Sequence, residues 1–163
     1  MSYRPRRPRD SQLSKVYKAE CAHSLWFDEA LFDSVGDVQI WVDSICRSRW
    51  FKNRFRRYAI DSKSIMKYGR SADGIKVLDG RGRRRACGLT RGFIKLPVWT
   101  RSDLHILHEI AHVVTSSRVA AHGREFCANY LSLVRQFMGK EEANELKACF
   151  KKHRVKYTRP KRI

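Results

Sequence analysis

The sequence predicts an α+β domain, and three observations carry that expectation. Apolar residues recur at helical spacing in the first third of the chain. The middle is a set of short apolar runs separated by glycine-containing turns. Helical spacing returns after Trp99 and persists almost to the end. Helices followed by clustered strands and then more helices segregate the two structure types, which is the α+β pattern. With 163 residues, of which 42% are hydrophobic, one domain with an ordinary core is expected.

Residues 1–10 read as a disordered basic arm, since Pro5 and Pro8 oppose regular structure. From Gln12 to about Phe32, Leu13, Val16, Tyr17, Ala19, Leu25, Trp26 and Leu31 suit one or two amphipathic helices. Ser34-Val-Gly-Asp37 interrupts the pattern, and Asp37 is expected to cap a helix over 38–50 carrying Val38, Ile40, Trp41, Ile45 and Trp50. Tyr58-Ala-Ile60 reads as a short strand, followed by a polar stretch through 74. Ile75–Leu78, Arg84–Leu89 and Phe93–Pro97 then alternate with turns at Asp79-Gly80-Arg-Gly82 and Thr90-Arg91-Gly92, which predicts a small antiparallel meander.

Thr100, with Asp103 three residues on, resembles an N-cap for a helix running to Val114 or Thr115. After a loop at Ser116-Ser117 a second helix is expected over about Gly123–Met138, with Phe126, Tyr130, Leu131, Leu133, Val134 and Phe137 on its apolar face. Gly139 is placed to end it, and a third helix follows from Glu141 to about Lys152. The organisation expected is an arm over 1–10, a domain over 11–152 and a basic tail over 153–163.

Charge is the strongest global feature. Lys and Arg number 35 against 16 Asp and Glu, a net of +19. Four Arg lie in 1–9 and seven Lys or Arg in 151–163, yet the body between still carries +8. A field of that sign attracts polyanions, nucleic acid or nucleoprotein first, and salt weakens the attraction. No stretch has the 18 apolar residues of a membrane span, and no apolar segment follows the basic N-terminus, so a cytoplasmic protein is expected. Five widely spaced cysteines without a Cys-x-x-Cys pair argue against a disulfide framework or zinc ribbon.

The chemistry lies in His108-Glu-Ile-Ala-His112. Residues four apart share a helix face, with Cβ atoms roughly 5–6 Å apart. Two imidazoles there can share one Zn²⁺ at about 2.0–2.1 Å. Glu109, in an otherwise apolar stretch, is costly to bury unless paired or facing a wet cleft, and is expected to act as general base. A third ligand is needed. His122 lies ten residues past His112, beyond a loop and next to Gly123, far enough for the chain to reverse. His105 follows the same stripe as His108 and His112, but three histidines on one straight helix span too much rise to meet at one ion. It is expected to be a neighbour of the ligands or a surface residue. His23 and His153 have no metal-like spacing and are assigned no role.

The segments His108-Glu-Ile-Ala-His112 and Ala121-His122-Gly123-Arg-Glu125-Phe126 resemble the SprT/Spartan-type zinc metallopeptidases. More closely, the chain is similar to small metallohydrolases of actinobacteria and their phages. That similarity rests on Val16-Tyr-Lys-Ala-Glu20, Asp79-Gly-Arg-Gly-Arg83 with Ala86-Cys87, Leu96-Pro97-x-Trp99, and Tyr130–Val134 ending at Gly139. The resemblance implies a zincin-like fold, a zinc cofactor, peptide hydrolysis, and a strand at Phe93–Pro97 bordering the cleft where an extended peptide adds. SprT proteins of bacteria carry a C-terminal cysteine-rich zinc ribbon, which this chain lacks. The tails and the cluster Arg81, Arg83, Arg84 and Arg85 are candidates to contact nucleic acid in its place.

Two main functions follow, beside a third, a phage or bacterial effector whose peptidase cuts one specific host protein. One is a zinc-dependent hydrolase, of metallopeptidase type, acting on protein or peptide near nucleic acid. The other is a non-catalytic nucleic-acid- or ribosome-binding protein whose zinc is structural. A closed structural site needs a fourth protein ligand, and none is evident in the sequence.

Overall fold

The computed structural model describes residues 8–23, 30–60 and 74–158. Expectations for 1–7, for Leu25 and Trp26, for 61–73 and for 159–163 lie outside these residues. The chain divides into two compact units, one of residues 1–28 with 115–163, the other of residues 29–114. Helices and a small mixed sheet make the described chain α+β. No described helix is long and apolar enough to cross a membrane.

In the first unit, α1 (Leu13–Cys21), α5 (Arg124–Phe137) and α6 (Lys140–Lys152) pack together, α6 contacting both others. Val16, Ala19, Phe126, Tyr130, Leu133, Leu146 and Phe150 are buried, a three-helix core built from helically spaced residues. Gly139 closes α5: its φ is +119° and its N–H reaches the Val134 carbonyl at 3.1 Å. The start of the basic tail is held down. Val155 is buried, its N–H meets the Phe150 carbonyl at 2.8 Å, and Lys156 N–H donates to Gln12 Oε1 at 2.6 Å.

The second unit opens with α2 (Val35–Arg47) and α3 (Arg49–Arg54). Asp37 is not the cap of α2. Ser34 is, its Oγ accepting the Asp37 N–H at 3.0 Å while Asp37 Oδ2 accepts the Ser34 N–H at 3.1 Å. That reciprocal box moves the helix start three residues upstream of the expected one. The expected helix over 38–50 breaks at Ser48, whose extended backbone and Oγ contacts to Ile45 O and Phe51 N end one helix and begin the next. Tyr58–Ile60 is not a strand. Arg56–Tyr58 is a 3₁₀ turn, and the Ile60 N–H donates to Cys46 O at 3.1 Å.

The sheet contains β1 (Lys76–Asp79), β2 (Cys87–Leu89) and β3 (Phe93–Leu96) in the order β1-β3-β2. It is not the antiparallel meander that the turns predict. β2 and β3 form an antiparallel hairpin, but β1 pairs with β3 in parallel, Lys76 opposite Phe93 through Asp79 opposite Leu96. Gly80 explains the difference. Its N–H continues the ladder to Leu96 O at 3.0 Å, and a Cβ there would come within 2.5 Å of Pro97 N. The chain thus runs along β3 past its end before turning back, and the positive φ sits on Gly82 instead. Gln39 of α2 binds β1 from the side, Nε2 to Ile75 O at 3.0 Å and Oε1 from Val77 N at 2.7 Å, occupying that edge of the sheet.

After a 3₁₀ turn at Val98–Thr100, α4 (Asp103–Val114) crosses beneath β2 and β3. Thr100 does not cap it; its Oγ1 turns back to Pro97 O at 2.8 Å, and Ser102 O accepts the first helical bond, from Ile106 N. Leu104, Ile106, Leu107, Ile110 and Val113 are fully buried. Each contributes roughly 1.5–3 kcal/mol, which together offsets the cost of burying His105, His108 and Glu109 on the same helix.

Candidate metal centre

His108 and His112 lie one turn apart on α4, with Nε2 atoms 3.0 Å from each other and rings edge-to-face. As a bare hydrogen bond this needs one nitrogen protonated and the other not. As a ligand pair it needs only two lone pairs converging on one cation. Two nitrogens bound tetrahedrally at about 2.0–2.1 Å sit roughly 3.3 Å apart, close to the distance seen. The donor chemistry and spacing fit a metal ion. His108 is buried, His112 half-buried, and Glu109 between them is buried.

β2 presses directly on this turn of helix. A Cβ on Gly88 would strike the Glu109 carbonyl oxygen and come within 3.0 Å of the His112 Cβ. Only glycine permits that approach. The signal was present in the sequence as a glycine inside a strand pattern.

His122 belongs to the other unit, where it is held on several sides. It is the third residue of a turn closed by Gly123 N–H to Ala120 O at 2.9 Å, just ahead of α5. Its Nδ1 lies 2.7 Å from Asp10 Oδ2. A carboxylate can only accept, so Nδ1 carries the hydrogen, and in the neutral ring Nε2 then bears the lone pair. Gln12 Nε2 donates to the His122 carbonyl at 3.0 Å, and the Tyr17 and Phe126 rings flank the imidazole at centroid distances of 5.3 and 4.9 Å.

Glu20 of α1 shares the buried stripe of Val16 and Ala19. It is wholly buried, and desolvation pushes its carboxyl up to about 8, against the opposing pull of His122 and a hydrogen bond from Tyr130. Asp10 lies in the arm expected over 1–10 and carries no sequence signal, since its partner is 112 residues away.

His105 is neither a surface residue nor paired with the other two through its Nδ1, which meets Ser102 Oγ at 2.7 Å. Its ring stands edge-on to Trp99 at 5.6 Å, and burial holds its pKa down at about 4. Arg81, Arg83, Arg84 and Arg85 are all exposed in the β1–β2 connection, Arg81 beside Asp79 at 3.7 Å. Asp79 is also paired with the buried Arg101 at 3.1 Å, which anchors the base of that connection.

A second set of donors, His23, Glu142 and Glu145, has ligand atoms within 4.8 Å of one another. His23 Nε2 also sits 3.3 Å from the Glu142 carbonyl oxygen. A carbonyl accepts only, so that contact places the hydrogen on Nε2 and makes the set a brace between α1 and α6. Of the five cysteines, Cys46, Cys127 and Cys149 are buried free thiols, and burial raises Cys46 and Cys127 to about 12.

No family model matches the chain, and no curated protein or solved structure matches it either.

Proposed function

We propose that this chain is a zinc-dependent hydrolase of metallopeptidase type with a zincin-like active-site helix. His108 and His112 of α4 and His122 before α5 are its ligands, and Glu109 is its general base. The observation that carries the reading is the convergence of His108 Nε2 and His112 Nε2 at 3.0 Å on a helix turn whose remaining polar residue is a buried carboxylate. Bound zinc would supply Lewis acidity, polarising a carbonyl and lowering the pKa of water. Glu109 takes the proton from the attacking water and returns it to the departing amine. The reading agrees with the SprT/Spartan resemblance.

An extended peptide substrate would add at β2. Phe93–Pro97, expected to border the cleft, contains the central strand β3 with a neighbour on each side, so its backbone groups are engaged. Among the described residues β2 is an edge strand, and it lies on the turn of α4 that holds Glu109. Strand addition there brings a peptide bond alongside that turn.

The exposed arginines of the β1–β2 connection favour a substrate bound to nucleic acid over a free peptide. They also keep open the reading of a nucleic-acid- or ribosome-binding protein with structural zinc. Metal analysis, joined to proteomic identification of cleaved proteins in cells expressing wild type or Glu109→Gln, separates the two. Stoichiometric zinc with cleavage products confined to wild type supports the hydrolase. Zinc with identical proteomes supports the structural site.

A further inference from the structure

We propose that Asp10 is a positioning residue of the metal centre: it orients His122 so that Nε2, not Nδ1, is the ligand atom. The proposal rests on the zinc reading above. The Asp10 Oδ2 to His122 Nδ1 distance is 2.7 Å, with the two side chains 22% and 6% exposed. Such a charge-assisted bond inside a mostly buried site is short, directional and strong. It fixes the tautomer and the ring plane together.

The neighbouring contacts act in the same direction. Gln12, two residues on and buried, holds the His122 main chain through its carbonyl and is itself tied to both the N–H and the carbonyl of Lys156. Backbone and ring of His122 are therefore gripped by one short segment, residues 10–12. Tyr17, from the first turns of α1, closes one side of the ring. The other oxygen of Asp10, Oδ1, is buried and accepts no hydrogen bond among the described residues. The end of the basic arm is thus part of the metal centre.

The test is zinc affinity of the full-length protein, measured by competition with a chromogenic chelator, for wild type, Asp10→Asn and Asp10→Glu. Asp10→Asn is expected to bind roughly 10–100-fold more weakly, with its helical circular dichroism in EDTA unchanged and with part of the loss recovered in Asp10→Glu. Equal affinity in Asp10→Asn and wild type overturns the role of Asp10 while leaving the zinc reading intact. Absence of zinc binding by wild type overturns both. Should Asp10→Asn fail to fold, histidine ¹⁵N spectra of zinc-loaded wild type decide the matter. Coordination of His122 through Nε2 with a protonated Nδ1 is expected, and coordination through Nδ1 overturns the proposal.

Discussion

The backbone carbonyl oxygen of Glu109 occupies the space where a Cβ on Gly88 would be, so strand β2 rests on the helix turn that carries the candidate base. Gly88→Ala must push strand and helix apart or distort both. The expected cost is roughly 1–3 kcal/mol, the range for overpacking a close contact, read as a lowered urea midpoint. Because His112 Cβ is also within 3.0 Å of that position, zinc affinity should fall as well. An alanine variant with wild-type stability and metal binding would contradict the approach described.

Glu109→Gln keeps the shape of the side chain and removes its ability to take a proton. Zinc content and thermal stability should stay near wild type, while kcat on a cleaved substrate drops about 10²–10⁴-fold. His108→Ala and His112→Ala should instead lose the metal. Undiminished turnover by the glutamine variant rules out Glu109 as the base.

Glu20 makes stability depend on pH in a definite direction. Its carboxyl titrates near 4.5 when exposed and at about 8 in the folded chain, because burial penalises the charge. Between those values the folded state holds a proton that the unfolded state has released. The stabilising contribution is therefore complete below about pH 4.5 and is lost as pH rises through about 8. In a chelator, melting temperatures of wild type should fall between pH 5 and 9 more steeply than those of Glu20→Gln. The glutamine variant should be the more stable of the two at pH 9, and parallel curves would show that Glu20 does not titrate in this range.

The exposed Arg81, Arg83, Arg84 and Arg85 predict a salt-dependent contact with nucleic acid. Replacing all four by alanine should weaken binding of a DNA duplex and flatten the plot of log affinity against log salt by up to roughly 3–4 units, if each meets a phosphate. An unchanged slope would assign the binding to the terminal segments instead.

Much of the candidate site was legible from the chain because its rules are local. His108, Glu109 and His112 lie within one helix turn, where spacing alone decides which side chains share a face. The periodic faces of α5 and α6 and the glycine that separates them depend on the same short-range geometry. Even so, Ser34 displaced Asp37 as a cap, because both residues can accept an N–H and only the backbone path decides between them.

What the tertiary structure alone decided are pairings between distant segments. Turn residues at 79–82 announce a reversal but not the neighbour of β1; its parallel place beside β3 depends on Gly80 lying flat against Leu96 and Pro97. No spacing rule links Asp10 to His122, or Gln12 to Lys156. Those bonds form because packing of α1 against α6 brings the start of the chain to the turn before α5. Local sequence therefore determined which residues are candidate metal ligands, and long-range packing determined which ring nitrogen of His122 is engaged by Asp10.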